Sequence, residues 1–422
     1  MKLAVIDADY PKPQHVGLAA SWLRWHIPRI GGELCSPDNA EILLVTTTSQ
    51  QQAPHVRHML RKVRAGKTVI VGGAGAYGPA AFDGIADVVC VGEGLRFVNT
   101  LVRDGLGAAA ELPEAWIPGG KRPVVPGFDF PWDLPPIMHP DGKYRVFESR
   151  GCRHKCLFCQ TGWERPYQLT PDLPKLIRTC REMERRKLVY DVVTNDAGVT
   201  RIVEKLPGAQ MASYRYKHLV SMNPSLLPQT VRIGVEGVSE RLRRAVNKPV
   251  PTAGLVDLVH RLFAAGRTVR LFFIVGLPLE EASDYDELGD LINGIGRAEK
   301  GVSHFTFHAF IPQPASPLCV FPLADEYWDR EESACRRFFD GDWFTRRVNW
   351  GKPAMYPTRL KNACNSMAAS EAELRRGWWH DDSPNWRVQY LAPPWKMRHL
   401  AAVYARHLGR PDAVPDGVVT RP

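Results

Sequence analysis

The sequence predicts an α/β protein made of two successive strand–helix units and a mostly helical C-terminal extension. Three observations predict it. Short Val- and Ile-rich runs alternate with amphipathic stretches through the first three quarters of the chain, the pattern of parallel sheets with crossover helices. Several of these runs close on glycine or hydroxyl turns, where parallel sheets receive ligands. A later run, Tyr144 to Glu148, feeds directly into a loop with three cysteines. The expected division is a Rossmann-like unit over 1–106, a Pro/Gly-rich linker over 107–143, a second unit over 144–318 and a Trp/Arg-rich extension over 319–422.

Composition narrows the class. Hydrophobic residues at 44% and charged residues at 24% of 422 residues are globular values. No apolar run reaches membrane-spanning length, so no membrane partner is expected. Met1 to Asp7 reads as a buried strand, because its apolar stretch is too short for a secretory signal. Nine cysteines without such a signal point to a reducing cytoplasm, where thiols hold metals more often than they pair. A net charge of +10 keeps nucleic acid among the candidate partners. The basic residues are scattered, however, with Arg181, Arg185, Arg186 and Lys187 on one helix and Arg241, Arg243 and Arg244 on another, which reads as solvated helix faces.

In the first unit, strands are expected at 2–6, 40–45, 68–71 and 87–91, with helices at about 16–27 and 53–65 between them. The second strand ends in Thr46-Thr47-Thr48-Ser49, the third in Gly72-Gly73-Ala74-Gly75 and the fourth in Gly92-Glu93-Gly94. Glycines there let a ligand approach the backbone. In the second unit, strands are expected at 144–148, 188–194, 212–216, 231–236, 269–275 and 304–310. Helices at about 197–206, 239–247, 253–265 and 283–297 separate most of them, and another starts near Thr170-Pro171 with a hydroxyl cap. Six strand units in this length suit an open, partial (β/α)6 barrel, whose chemistry gathers at the C-terminal strand ends.

The chemical centre of the sequence is Cys152-Arg153-His154-Lys155-Cys156-Leu157-Phe158-Cys159. Thiolates are the usual ligands of iron–sulfur clusters, and three of them leave one iron of a 4Fe–4S cube without a protein ligand. Zinc is the competing reading, with His154 completing the set. The remaining cysteines, at 35, 90, 180, 319, 335 and 364, form no C-x-x-C pair of the kind zinc sites use.

This spacing, with Phe158 before the last cysteine, resembles the cluster loop of the radical S-adenosylmethionine (SAM) superfamily. The resemblance implies a 4Fe–4S cluster on Cys152, Cys156 and Cys159, SAM chelated at its open iron, and reductive cleavage of SAM to a 5′-deoxyadenosyl radical. It also implies an electron donor such as flavodoxin or ferredoxin. Ile233 to Glu240 followed by Asn247-Lys248 resembles a further segment of that family, with Gly237 where serine is common. On this resemblance Glu236 accepts from the SAM ribose. Phe272 to Glu280 resembles the family's fifth-strand signature, with Leu279 where glycine is common, so that Ile274 and Gly276 face adenine. Thr194 and Asp196 stand where the family holds the methionine amino group, although the usual Gly-Gly-Glu is missing, and a helix cap accounts equally well for Asn195-Asp196. Arg215 is the candidate partner of the SAM carboxylate. The ending Phe305 to Pro317 resembles that of cobalamin-linked and methylthiolating members, and it carries His308 as a candidate interior proton shuttle or structural histidine.

The strand-end turns at Thr47, Gly72 and Gly73, with Asp87-Val88-Val89-Cys90-Val91-Gly92-Glu93-Gly94, resemble the cobalamin-binding domain of many radical SAM enzymes. The Asp-x-His-x-x-Gly that supplies a cobalt-ligating histidine is absent; Asp7-Ala8-Asp9-Tyr10-Pro11 stands there instead. Cobalamin-dependent methyl transfer is the leading expectation, to a substrate that is a small molecule, peptide or nucleic acid. Radical rearrangement or oxidation is the alternative. A methylthiotransferase is disfavoured because the first unit holds only Cys35 and Cys90, and a nucleic-acid-binding protein with a structural cluster because only three cysteines are grouped. The extension, with Trp328, Trp343, Trp350, Trp378, Trp379, Trp386 and Trp395, reads as a helical lid or a base-stacking surface. Cys319, Cys335 and Cys364 lack the spacing of a second cluster.

Overall fold

The chain opens with β1 (Lys2–Asp7), α1 (Leu18–His26), β2 (Glu33–Leu34), β3 (Ile42–Thr46), α2 (Ala53–Leu60), β4 (Thr68–Gly72), β5 (Val88–Cys90), α3 (Leu95–Ala110) and β6 (Ala115–Trp116). The computed structural model describes residues 1–8, 18–48, 52–120, 123, 130–139, 142–206, 209–211, 214–295, 303–310, 313, 316–321, 348–349 and 394–413. The first sheet has strand order β2-β1-β3-β4-β5-β6. All neighbours are parallel except β6, which runs antiparallel to β5. Alternate residues enter different cores: Leu3, Val5, Leu44 and Ile70 pack with Leu23 of α1 and Phe97 of α3. Ala4, Val45, Val69 and Val71 pack with Val56 and Leu60 of α2. Helices therefore cover both faces, which is why the strands read as unbroken apolar runs.

The second part contains β7 (Ile137–Met138), β8 (Tyr144–Phe147), β9 (Ser149–Arg150), α4 (Thr161–Glu164), β10 (Gln168–Leu169), α5 (Leu173–Arg185), β11 (Tyr190–Val193), β12 (Gln210–Met211) and α6 (Tyr216–Leu219). It continues with β13 (Thr230–Glu236), α7 (Glu240–Ala245), α8 (Thr252–Ala264), β14 (Thr268–Val275), α9 (Ala282–Ile295), β15 (Ser303–Ala309), β16 (Val348–Asn349) and α10 (Pro394–His407). The strands β8, β11 and β12 are parallel neighbours, as are β13, β14 and β15. An isolated parallel bridge links Tyr214 to Ile233 of β13. On α8, Leu255, Leu258, Val259 and Leu262 are buried at helical spacing, which seats that helix on the sheet. Among the described residues no helix is long and apolar enough to cross a membrane.

Several expectations need correction. The linker does not begin at 107, because α3 continues to Ala110 past a kink at Gly105 (φ 91°). The helix expected at 197–206 is only a 3-10 turn at Ile202–Glu204. Asp196 accepts a hydrogen bond from Gly198 N, and Arg201 is left-handed at φ 54°, so no continuous helix forms. The helix expected from Thr170 starts at Leu173, with Asp172 rather than a hydroxyl as its cap, accepting from Lys175 N at 2.7 Å. The third strand pairs at Gln210–Met211 and Tyr216 begins α6; Ala212 and Ser213 lie outside the described residues. So do Cys335, Cys364 and Trp328, Trp343, Trp350, Trp378, Trp379 and Trp386. Arg243 is not on a solvated face: it is fully buried, donating to Val250 O and paired with Glu287.

Candidate functional site

The cysteine loop leaves and re-enters the fold through the antiparallel pair β9–β10. Gly151 stands at its neck with φ 64°, where a side chain would collide with the Pro166 carbonyl. Four hydrogen bonds hold the loop. Leu157 N donates to Val246 O, Asn247 Nδ2 to Lys155 O, Leu318 N to Leu157 O and Gln160 N to Gln313 Oε1, at 2.7 to 3.1 Å. Inside the loop, Trp163 Nε1 donates to Cys156 O at 2.9 Å.

None of the three thiols is in a disulfide, and Cys156 is buried. Burial and the neighbouring Cys156 and Cys152 push the Cys159 thiol up to about 12. Burial also raises Cys152, with Cys156 adding to it and the nearby Arg215 opposing. The surroundings of Cys152 and Cys159 thus disfavour their thiolates. A bound cation inverts that balance, and the donor set fits an iron–sulfur cluster with three protein ligands.

At the end of β11, Thr194 Oγ1 lies 3.0 Å from Ser149 Oγ, and Asn195 Nδ2 donates to Gly151 O at 2.6 Å. Asp196 is buried, with Oδ2 2.6 Å from His154 Nε2 and 3.0 Å from His218 Nδ1. Burial acts to raise this carboxyl, but His154 and His218 outweigh it and hold it at about 2. His154 therefore engages Asp196, an arrangement different from a zinc site shared with the cysteines. Arg215, at the start of α6 rather than on a strand, donates to Asn247 O at 3.2 Å beside the cysteine loop.

The ends of β13 and β14 are irregular in the way a ligand-facing edge requires. The register shifts between Gly234 and Glu236, and Glu236 has φ 75°. Its Oε1 meets Lys248 Nζ at 2.6 Å. A side chain at Gly237 would come within 2.8 Å of Leu242 Cβ, so serine does not fit there without a shift. Gly276 has φ 71° and donates to Glu280 Oε1 at 2.8 Å. Leu279 has φ 61°, the left-handed conformation for which glycine is the better residue. Ile274 is half-buried beside it, as is Phe158 on the cysteine loop. His308 is exposed and stacks on Phe272 with ring centroids 6.2 Å apart.

A cavity of about 330 Å³ lies between the strand ends of the first sheet and the cysteine loop. Thr47, Gly72 and Gly73 line one side, with Arg150, Gly151 and Asn195 on the other. Gly73 has φ 95°, and a side chain there would strike the Thr47 carbonyl. Thr47 Oγ1 in turn donates to Gly72 O at 3.2 Å. Glu93 joins the two sides, accepting from Arg150 Nη2 at 2.7 Å and from Arg165 Nη1. The wall of apolar Trp22 and Phe97, glycine backbone and hydroxyls suits a broad ligand with many amides. Among the described residues no histidine lines it.

The chain has the fold of radical SAM enzymes that carry a cobalamin-binding domain. It is similar to the radical SAM methyltransferase TsrM of Kitasatospora setae, solved with cobalamin and a 4Fe–4S cluster, at 11% identity and TM-score 0.58 over 76% of this chain and 77% of that one. The same enzyme with tryptophan substrate and a SAM analogue superimposes at TM-score 0.55, with 11% identity over 76% and 75% of the two chains. The cobalamin-dependent radical enzyme OxsB, with aqua-cobalamin bound, matches at 12% identity and TM-score 0.51 over 95% of this chain and 66% of that one. A tRNA-2-methylthio-N(6)-dimethylallyladenosine synthase of Cereibacter sphaeroides is 24% identical over 198 residues, 41% of this chain and 44% of the synthase. The chain thus spans less than half the length of that curated relative. No family model matches.

Sequence reasoning missed Glu93, Arg165 and His218 as site residues. Glu93 was quoted only as part of a turn, and its two arginine partners lie 57 and 72 residues away. His218 sits in a short helix that the pattern did not announce.

Proposed function

We propose that this protein is a radical SAM methyltransferase that uses cobalamin and acts on a small molecule. The observation that carries the reading is the adjacency of two sites. Arg150 and Gly151, the residues immediately before Cys152, are also part of the cavity wall formed by Thr47, Gly72 and Gly73. Cysteines 152, 156 and 159 would hold the cluster, and the cavity would hold cobalamin. When bound, the cluster supplies the electron that cleaves SAM and the cobalamin supplies methyl-group transfer.

The chain's own residues do the rest. Glu236, held by Lys248, presents a carboxylate to a ribose, and Ile274 with the Gly276 backbone offers an apolar wall to adenine. Arg215 places a positive charge beside the cluster loop for a carboxylate. The six parallel strands of residues 144–318 are read as an open partial barrel with these groups at its C-terminal rim. Residues 1–106 are read as the cobalamin unit. The small-molecule class is supported by the tryptophan bound in the similar TsrM. A flavodoxin or ferredoxin is the proposed electron source. Methylthiolation is the weaker reading: Cys35 donates to Leu3 O at 3.6 Å and Cys90 is buried on β5, so the two are not grouped.

The test is anaerobic reconstitution with iron, sulfide, hydroxocobalamin, SAM and a reductant, followed by desalting and product analysis. The reading predicts retained cobalamin and formation of both 5′-deoxyadenosine and S-adenosylhomocysteine when an acceptor is supplied. SAM cleavage with no retained cobalamin would overturn methyl transfer and leave rearrangement or oxidation.

A further inference from the structure

His154, Asp196 and His218 form a second convergence of metal-ligating groups, separate from the three thiols. One atom from each residue lies within 4.8 Å of the others. They come from three elements: the cysteine loop, the turn after β11 and α6. Two imidazoles and one carboxylate are a donor set that suits zinc and neighbouring divalent metals.

The arrangement is built rather than incidental. Asp196 Oδ1 accepts from Gly198 N at 3.1 Å, which turns Oδ2 toward both histidine nitrogens. Asp196 N donates to Thr194 Oγ1 at 3.3 Å, and Thr194 is pinned in turn by Ser149. Such outer contacts orient ligating carboxylates in metal sites. Gly198 is part of the same construction, because a side chain there would run into the His218 ring. The carboxylate is 4% exposed. His154 Nε2 makes a hydrogen bond to Oδ2, and the buried His218 Nδ1 lies 3.0 Å from the same oxygen. Protons satisfy both contacts only when each ring carries its N–H on the nitrogen that faces Oδ2. A cation placed among the three atoms satisfies all of them, taking a lone pair from each ring.

We propose that His154, Asp196 and His218 bind one divalent transition metal of zinc-like preference, which ties the cysteine loop to β11 and α6. Asp196 then serves this metal instead of the methionine amino group of SAM. The site does not depend on cobalamin or on methyl transfer.

The test uses the full chain, stripped with a chelator, reconstituted with iron and sulfide, dialysed against zinc and desalted before elemental analysis. The expected result is about one zinc per chain beside the cluster iron, with zinc affinity weakened roughly tenfold or more in His218→Ala and Asp196→Asn while iron content holds. Loss of iron with zinc retained would count against the cluster reading, not against this one. Cobalt(II) added to the cluster-free wild-type chain provides a measurement that needs no variant. Tetrahedral d–d bands without thiolate-to-cobalt charge transfer support the site. No zinc above background in the cluster-loaded wild type would overturn it.

Discussion

The strand ends of the first sheet and those of β11, β13 and β14 face ligands by opposite means. After β3 and β4 the chain offers backbone: Gly73 is left-handed, and Thr47 spends its hydroxyl on the Gly72 carbonyl. After β11 and β13 it offers charge: Asp196 between two histidines and Glu236 against Lys248. On the proposed reading the first surface would select by shape, the second by ligation and ion pairing. The contrast teaches that the proposed cobalamin edge is built of backbone and small residues, whereas the proposed cluster and SAM edge is built of paired charges. Glu93 is where they meet, an anionic side chain of the backbone-type edge held by two arginines of the other unit.

The contrast can be broken from either side. The largest effect is expected at Gly73→Val, where both the φ of 95° and the collision with Thr47 oppose a side chain. It should cost about 4 kcal/mol in urea unfolding and abolish cobalamin retention. A loss below about 1 kcal/mol would show that this turn is not shape-critical. Next comes Glu93→Gln, which leaves Arg150 and the buried Arg165 facing each other without their carboxylate. A loss of about 3 kcal/mol is expected by the same measurement, because breaking a buried pair strands a charge.

A smaller effect sharpens the charged side. Glu148 is 1% exposed and burial raises its carboxyl above the ordinary 4.5, with Thr200 opposing. The native state therefore holds this proton more tightly than the unfolded chain. Its contribution is fully present below about pH 4.5 and is lost as pH rises through the raised value. Glu148→Gln should gain stability over the wild type at pH 7 and none at pH 4, read from urea midpoints at both. The smallest change is Leu279→Gly. Relief of the left-handed backbone and loss of half-buried apolar surface oppose each other, so the unfolding free energy should move by less than about 1 kcal/mol.

Much of this was legible in the sequence for a physical reason. The strands 42–46 and 68–72 are apolar on both faces and 268–275 alternates buried with half-buried residues, so all three announce themselves without tertiary information. The three cysteines are legible because their spacing is local. The turn at Leu279 was flagged as a departure from glycine, and its φ of 61° shows why glycine suits the position. What failed depended on contacts across the fold. The stretch 197–206 has helical composition, yet Asp196 and Arg201 break it through the local geometry of the histidine pair. Arg243 reads as one of a basic trio, and only the surrounding Glu287, Thr252 and Val250 carbonyl explain its full burial. Glu93 and His218 gain their meaning from partners dozens of residues away, where no local pattern points.

The central claim is that Cys152, Cys156 and Cys159 hold a cluster that cleaves SAM. Its most direct measurement is 5′-deoxyadenosine formation by the anaerobically reconstituted, dithionite-reduced protein, set beside Cys156→Ala treated identically. The account predicts 5′-deoxyadenosine and bound iron from the intact chain, and neither above background from the variant. A chain that takes up no cluster under conditions that reconstitute a control enzyme, or a variant that cleaves SAM as well as the intact chain, would contradict it.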